Sequence, residues 1–202
     1  SVRFRTCLSR SARRNARSTY EPDYMTSYTQ ESISPGKIAW SFPSPAPVIC
    51  PGQVHGALDT HHAGAGHVLD LGDRYRMYYW GKGTGGYAIL MVEAPKERPN
   101  DWRARGGVLL GPQPETQHNS TGPCFPFVFP VNGDRWHMLF CGWGKPRGEA
   151  IPNTTCLALS DDAGLTWRYH DANPVLPLDQ PYDRSATGSV SVVRVGDEFR
   201  MY

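Results

Sequence analysis

The 202-residue chain is predicted to be all-β, built from repeated four-stranded antiparallel blades of a propeller, and three observations carry that expectation. Its 21 Gly and 18 Pro, with 10 Tyr, 7 Phe and 6 Trp, describe a turn-rich, aromatic chain rather than a helical bundle or a disordered one. Gly72-Asp73-Arg74-Tyr75-Arg76-Met77-Tyr78 recurs as Gly133-Asp134-Arg135-Trp136-His137-Met138-Leu139 and again as Gly196-Asp197-Glu198-Phe199-Arg200-Met201-Tyr202, at spacings of 61 and 63 residues. A second landmark keeps that period: Trp40, Trp102 and Trp167 each lead, six to eight residues on, to an apolar segment (Val48-Ile49, Val108-Leu110, Val175-Leu176). A fixed period of this kind is the signature of a repeat architecture.

Within the first repeat, the apolar run Gly66 to Leu69 is expected as the first strand, leading into a Gly-Asp turn. Alternating Tyr75, Met77 and Tyr79 then give the second strand by their period of two. A Gly-rich loop is expected over Gly81 to Gly86, a third strand over Tyr87 to Val92, and a fourth around Trp102 to Leu110. In the second repeat the third strand falls on Thr154 to Ser160. The aromatic and Met positions are read chiefly as glue between neighbouring blades.

Ser160-Asp161-Asp162-Ala163-Gly164-Leu165-Thr166-Trp167 matches the Asp-box pattern S-x-D-x-G-x-T-W. Its physics is local: Asp162 accepts backbone N–H bonds across the turn, Gly164 permits φ > 0, and Trp167 packs between sheets. It stabilises a hairpin and is not a catalytic motif.

The formal net charge is +2, yet residues 1–20 hold six Arg and no acid, so the remainder is mildly acidic. That distribution argues against a nucleic-acid-binding domain, which carries its positive charge through the folded part. No run of 18 apolar residues suggests a membrane-spanning helix. Residues 1–36 are expected to be a basic leader, either transit-like or simply unstructured, and residues 37–202 the propeller domain, with repeats at about 50–110, 111–175 and 176–202. Localisation is left between an organelle and the extracellular space. Five cysteines at irregular spacing form no C-x-x-C pair, so neither structural zinc nor a disulfide scaffold is expected. A Cys141–Cys156 bridge is one reading, and buried free thiols the preferred one. No phosphate loop, nucleotide fingerprint, H-E-x-x-H or G-x-S-x-G is present, and no cofactor or metal is expected.

Through the repeated Gly-Asp-x-aromatic-x-Met-Tyr strand, the Trp landmarks and the residues that precede each innermost strand, residues 38–202 resemble the five-bladed propeller glycoside hydrolases of families 43, 32, 68, 117 and 130. The resemblance implies a partial ring of about two and a half blades, since five repeats of this length need about 310 residues. It also implies that Trp40 to Ile49 supply an outer strand to the closing blade. On this view the chain is part of a larger ring and is a poor catalyst by itself.

In such enzymes the catalytic carboxylates precede innermost strands, where the blades converge on an axial funnel. The position 13 residues before each Gly-Asp turn is Asp59, Ser120 and Asp183. The resemblance therefore implies Asp59 as general base or nucleophile and Asp183 as the partner carboxyl, near where those families place a Glu. Ser120 stands where many members have an Asp. Sugar hydrolysis needs two carboxyls about 5 to 5.5 Å apart for retention or about 6.5 to 9.5 Å for inversion.

His55, His61, His62 and His67 crowd around Asp59. They are read as ligands of sugar hydroxyls before a metal site, because their spacing fits no zinc motif. His62 or His118 is an alternative proton donor. Arg184 is assigned either to Asp183 or to a substrate carboxylate, and Trp80 and Trp143 either to interblade packing or to stacking on sugar. The leading function is a glycoside hydrolase or related glycan-active enzyme with a carbohydrate substrate. The alternatives are a non-catalytic carbohydrate-binding or scaffolding propeller and, more remotely, a sialidase-like enzyme.

Overall fold

The computed structural model describes residues 47–146, 151–181, 183 and 186–202. The leader over residues 1–36 and residues 40–46 of the expected closing strand lie outside the described residues, while Pro47, Val48 and Ile49 of that strand are described and form no strand. Among the described residues there is no α-helix, one 3₁₀ turn at Gly56–Leu58, and ten strands in three antiparallel sheets. The first blade is β1 (His62–Asp70), β2 (Arg74–Gly83), β3 (Gly86–Pro95) and β4 (Arg103–Ala104), paired in that order. The second is β5 (Gly122–Asn132), β6 (Arg135–Trp143), β7 (Asn153–Ser160) and β8 (Arg168–Tyr169), in the same order. A third begins with β9 (Val192–Val195) and β10 (Glu198–Met201). This is a partial β-propeller.

The repeated Gly-Asp joins the first two strands of each blade because its glycine turns the chain: Gly72, Gly133 and Gly196 have φ of +94°, +53° and +62°, a region costly for other residues. The expected Gly-rich loop is shorter than the sequence suggests. Gly81 to Gly83 continue β2, Gly83 pairs with Gly86, and only Thr84 and Gly85 turn.

Apolar residues alternate along β2 and β3 so that both faces of blade 1 are buried. Tyr78, Trp80, Ile89 and Met91 pack toward blade 2, against Cys124, Val128, Trp136, Met138 and Phe140. Met77, Tyr79, Leu90 and Val92 face the other way, with Ile49, Ala63 and Trp102. Trp102 packs in the cluster on the far face of blade 1, and Trp167 packs at the seam between blades 1 and 2.

Polar groups rivet the first seam. Buried Arg76 donates to Glu93 at 2.8 Å and to the Ala163 carbonyl at 2.6 Å, while the Tyr78 hydroxyl donates to the Gly164 carbonyl at 2.9 Å. Glu93 is held by two further guanidiniums, Arg105 at 3.0 Å and Arg74 at 3.5 Å. The carbonyls at 163 and 164 are presented by the β7–β8 turn, where Asp162 accepts from the backbone N–H groups of Leu165 and Thr166 and from the Thr166 hydroxyl. His67 stacks on Phe127 with ring centroids 4.3 Å apart, and its Nδ1 accepts the Val128 N–H at 3.1 Å. Blade 2 meets the third through Thr155 N–H donating to Thr187 Oγ1 at 3.0 Å and the Phe129–Phe199 ring contact at 5.1 Å.

Cys141 sits opposite Thr155 on β7 and opposite Cys124 on β5, so Cys156 is not its cross-strand partner. Cys124, Cys141 and Cys156 are thiols, and burial raises all three pKa values, Cys141 to about 11 and Cys156 to about 12. They behave as small apolar residues of the core.

Removing Arg76 takes one partner from a buried ion pair, and Arg76→Ala is expected to cost about 3 kcal/mol in urea unfolding, with a paired Arg76→Met/Glu93→Gln exchange costing less. His67 must be neutral to accept from Val128, and burial lowers its pKa from 6.5. Above pH 6.5 the folded and unfolded chains bind the same protons at this site; below it the unfolded chain binds more, so stability falls on acidification. His55, His118 and His137 are lowered in the same direction. Urea titrations from pH 7.5 to 5 should show this loss, and His67→Gln should shrink it.

Candidate functional site

The two complete blades present the same device at the start of their innermost strands. In blade 1 the 3₁₀ turn brings Asp59 N–H to the Gly56 carbonyl at 3.3 Å and lays the turn against β2. It lies so close that a Cβ on Gly81 would come 2.8 Å from Asp59 Cβ, and one on Gly83 2.1 Å from the Ala57 carbonyl oxygen. In blade 2 the counterparts of these glycines are Gly142 and Gly144. A Cβ on Gly142 would lie 2.7 Å from the His118 carbonyl oxygen and 3.5 Å from Asn119 Cβ, and one on Gly144 2.3 Å from the Gln117 carbonyl oxygen. Glycines in β2, and in and just after β6, therefore admit the segment that precedes each innermost strand, the one that carries Asp59 in blade 1.

The strand register identifies the blade 2 counterpart of Asp59. Asp70 pairs with Tyr75 in blade 1, and Pro130 with Trp136 in blade 2, where a bulge between Pro130 and Asn132 adds one residue to the hairpin. Counting along the pairing rather than back from the turn makes Asn119 the equivalent of Asp59, with Ser120 one place on. Both Asp59 and Asn119 are fully buried. The third hairpin has no added residue, since Arg194 pairs with Phe199, so the count back from that hairpin still falls on Asp183, which lies ahead of β9 in the chain. Asp183 N–H also bonds three residues back, to the Gln180 carbonyl at 3.0 Å, and the residue is half-buried.

The Asp59 carboxylate is enclosed by protein donors. Oδ1 accepts the Gly52 N–H at 3.0 Å and Oδ2 the Tyr79 hydroxyl at 2.7 Å. The Tyr79 oxygen lies 2.8 Å from His55 Nδ1. Burial, followed by the neighbouring Asp59, raises the Tyr79 pKa, and burial lowers that of His55 against the opposing pull of Asp59 and the Gly106 backbone. Asn119 is held differently: its amide donates to Gln113 Oε1 at 3.2 Å and to Tyr169 at 3.3 Å.

The other candidates divide. His61 is exposed, 3.3 Å from its neighbour Thr60. His62 opens β1 with its ring 5.9 Å from that of Trp80, and its Nδ1 is buried without a hydrogen-bond partner among the described residues. His118 precedes Asn119, with its pKa lowered by burial against the pull of Glu115. Ser120 Oγ is buried and unpaired among the described residues. Trp80 is buried in the seam against Tyr87 and Phe125, with centroids 5.6 and 5.7 Å away. His67 belongs to the interblade contact rather than to the Asp59 cluster. Arg184 lies outside the described residues. Among the described residues no group of three His, Cys, Asp or Glu side chains could hold a metal ion. No helix among them is long and apolar enough to cross a membrane.

Tyr79, Asn119 and the paired glycines are the site features that sequence reasoning missed. The glycines are visible as Gly81 and Gly83 recurring at Gly142 and Gly144 in the 61-residue period.

No family model matches the chain, and no curated protein matches it. Solved structures do. A complex of BT0996 with RGII and a second structure described as a glycoside hydrolase each align with TM-score 0.53 at 18% identity, over 67% of this chain and 44% of theirs. A protein from Parabacteroides distasonis ATCC 8503, described as a glycoside hydrolase, aligns with TM-score 0.50 at 13% identity, over 77% of this chain and 48% of its own. The chain thus spans about half the length of the proteins it matches, and at these identities the likeness is one of fold.

Gly83→Ala and Gly144→Ala should each force the overlying turn off its strand, at about 1–3 kcal/mol in chemical denaturation, as overpacking does. Faster proteolysis near residue 57 in the first variant and near residue 117 in the second would locate the displacement.

Proposed function

We propose that this chain forms part of a glycan-active propeller enzyme, a hydrolase or transglycosidase. In this reading Asp59 is general base or nucleophile and Asp183 the partner carboxyl, with His61, His62, His118, Ser120, Arg184 and Trp80 contributing to the carbohydrate site. What supports the reading is the recurrence of an aspartate at one offset from the first hairpin of its blade, Asp59 in blade 1 and Asp183 in the third, in a fold shared with glycoside hydrolases. Two carboxyls on different blades suit a reaction that needs them to face each other across one glycosidic bond. Enclosure of Asp59 means that the covering segment over residues 50–58 shifts to admit substrate. Activity belongs to the closed ring, with residues 37–202 as its propeller portion.

A second reading, a non-catalytic carbohydrate-binding propeller, is favoured by one observation. The blade 2 counterpart of Asp59 is the amide Asn119, equally buried and bonded within the protein, so the position serves structure in at least one blade.

Asp59→Asn and Asp183→Asn, assayed for release of reducing sugar on a panel of oligosaccharides, should each lower turnover by about 10²-fold or more, in the range of a lost general acid or base. Circular dichroism should remain that of the parent. Full activity in Asp59→Asn sinks its assigned role, and glycan binding without turnover in the parent protein favours the second reading.

A further inference from the structure

The hydrogens around Asp59 can be counted, and the count assigns a state to His55. An ionised carboxylate only accepts, and a tyrosine hydroxyl has one proton to give. At 2.7 Å from Asp59 Oδ2, that proton is committed to the carboxylate. The Tyr79 oxygen is then left as an acceptor toward His55 Nδ1, 2.8 Å away, and a short contact between two lone pairs would be repulsive. Nδ1 must carry a hydrogen.

We propose that His55 and Tyr79 are a positioning pair for Asp59, with His55 held in its Nδ1–H form and donating to Tyr79, which donates in turn to the carboxylate. The chain of donors runs one way, Nδ1–H to Oη–H to Oδ2, and both act to hold the Asp59 carboxyl oriented. His55 Nε2 is the nitrogen that gains or loses a proton. The second blade supplies an internal control. The residue equivalent to Tyr79 is Phe140, as 61 residues separate them just as they separate Gly81 from Gly142, and the residue equivalent to Asp59 is Asn119. Where the carboxylate is replaced by an amide, the hydroxyl is absent too, and Asn119 turns to Gln113 and Tyr169 instead. Tyr79 is therefore matched to a carboxyl at Asp59, whereas packing at the equivalent place in blade 2 is satisfied by phenylalanine.

That the pair positions a catalytic group rests on the function proposed for Asp59; the protonation state of His55 does not. The test is a two-bond ¹H–¹⁵N correlation spectrum of the ¹⁵N-labelled full-length protein at pH 8. His55 should appear with Nδ1 protonated and Nε2 bare, and Tyr79→Phe should return it to the Nε2–H tautomer that imidazole favours in water. A His55 already in the Nε2–H form, or one unchanged by Tyr79→Phe, overturns the pair. Should Tyr79→Phe fail to fold, the parent spectrum alone decides. With a 4-nitrophenyl glycoside found to be turned over, Tyr79→Phe and His55→Gln should lower kcat about tenfold with KM within twofold. An intact Nδ1–H tautomer together with full activity in Asp59→Asn would support the pair and overturn the catalytic reading of Asp59.

Discussion

A sheet whose strands are apolar on both faces has to be covered on both, and that demand organises this molecule. Blade 1 buries Tyr78 and Trp80 on one side and Met77 and Tyr79 on the other, so neither face is free to meet water. The sheet-to-sheet seam is stabilised chiefly by removal of aromatic and aliphatic area from water. Its polar contacts act as locators within that seam. Arg76 and Tyr78 reach two consecutive carbonyls of the neighbouring blade, fixing how far one sheet slides along the next. The turn that presents those carbonyls is held rigid by Asp162, so a local hairpin motif becomes part of an interblade contact.

The same packing sets the chemistry before the innermost strands. Glycines in β2 and β6 leave room for the preceding segment to press against the sheet, and this buries one side chain per blade at an equivalent place. A carboxylate in such a place needs donors, because an unpaired buried charge is far costlier than a buried amide. Asp59 has the Gly52 N–H and the Tyr79 hydroxyl; Asn119 donates its amide to Gln113 and Tyr169, while its Oδ1 has no partner among the described residues. One backbone scaffold thus carries an ionisable group in one blade and a neutral one in the next.

Much of the fold is legible in the sequence because its signals are local. A glycine at positive φ beside an aspartate marks a hairpin wherever it occurs, and alternation of Tyr, Met and Tyr marks the strand that follows. The glycines from Gly81 to Gly86 overstate their loop, since glycine signals a turn and a close approach alike, and only the neighbouring segment tells them apart. Counting back from the turn aligns Ser120 with Asp59. One bulged residue in the β5–β6 hairpin shifts that count to Asn119, and a bulge leaves little trace in sequence. Strand alternation marks Tyr79 as interblade glue, which is right for its ring and silent about its hydroxyl.

The all-β class, the roughly 61-residue period, the hairpin turns and the recurrence of Asp59 and Asp183 at one offset from their Gly-Asp turns can all be read along the chain, because each depends on residues near one another in it. Which side chains meet across blades, and which carboxylate is enclosed, emerge only when the sheets pack. The Arg76 contact with Ala163 joins residues 87 apart, and the Tyr79 contact with Asp59 joins residues 20 apart. Such pairings are set by sheet packing and strand register, and neither is written in any local pattern.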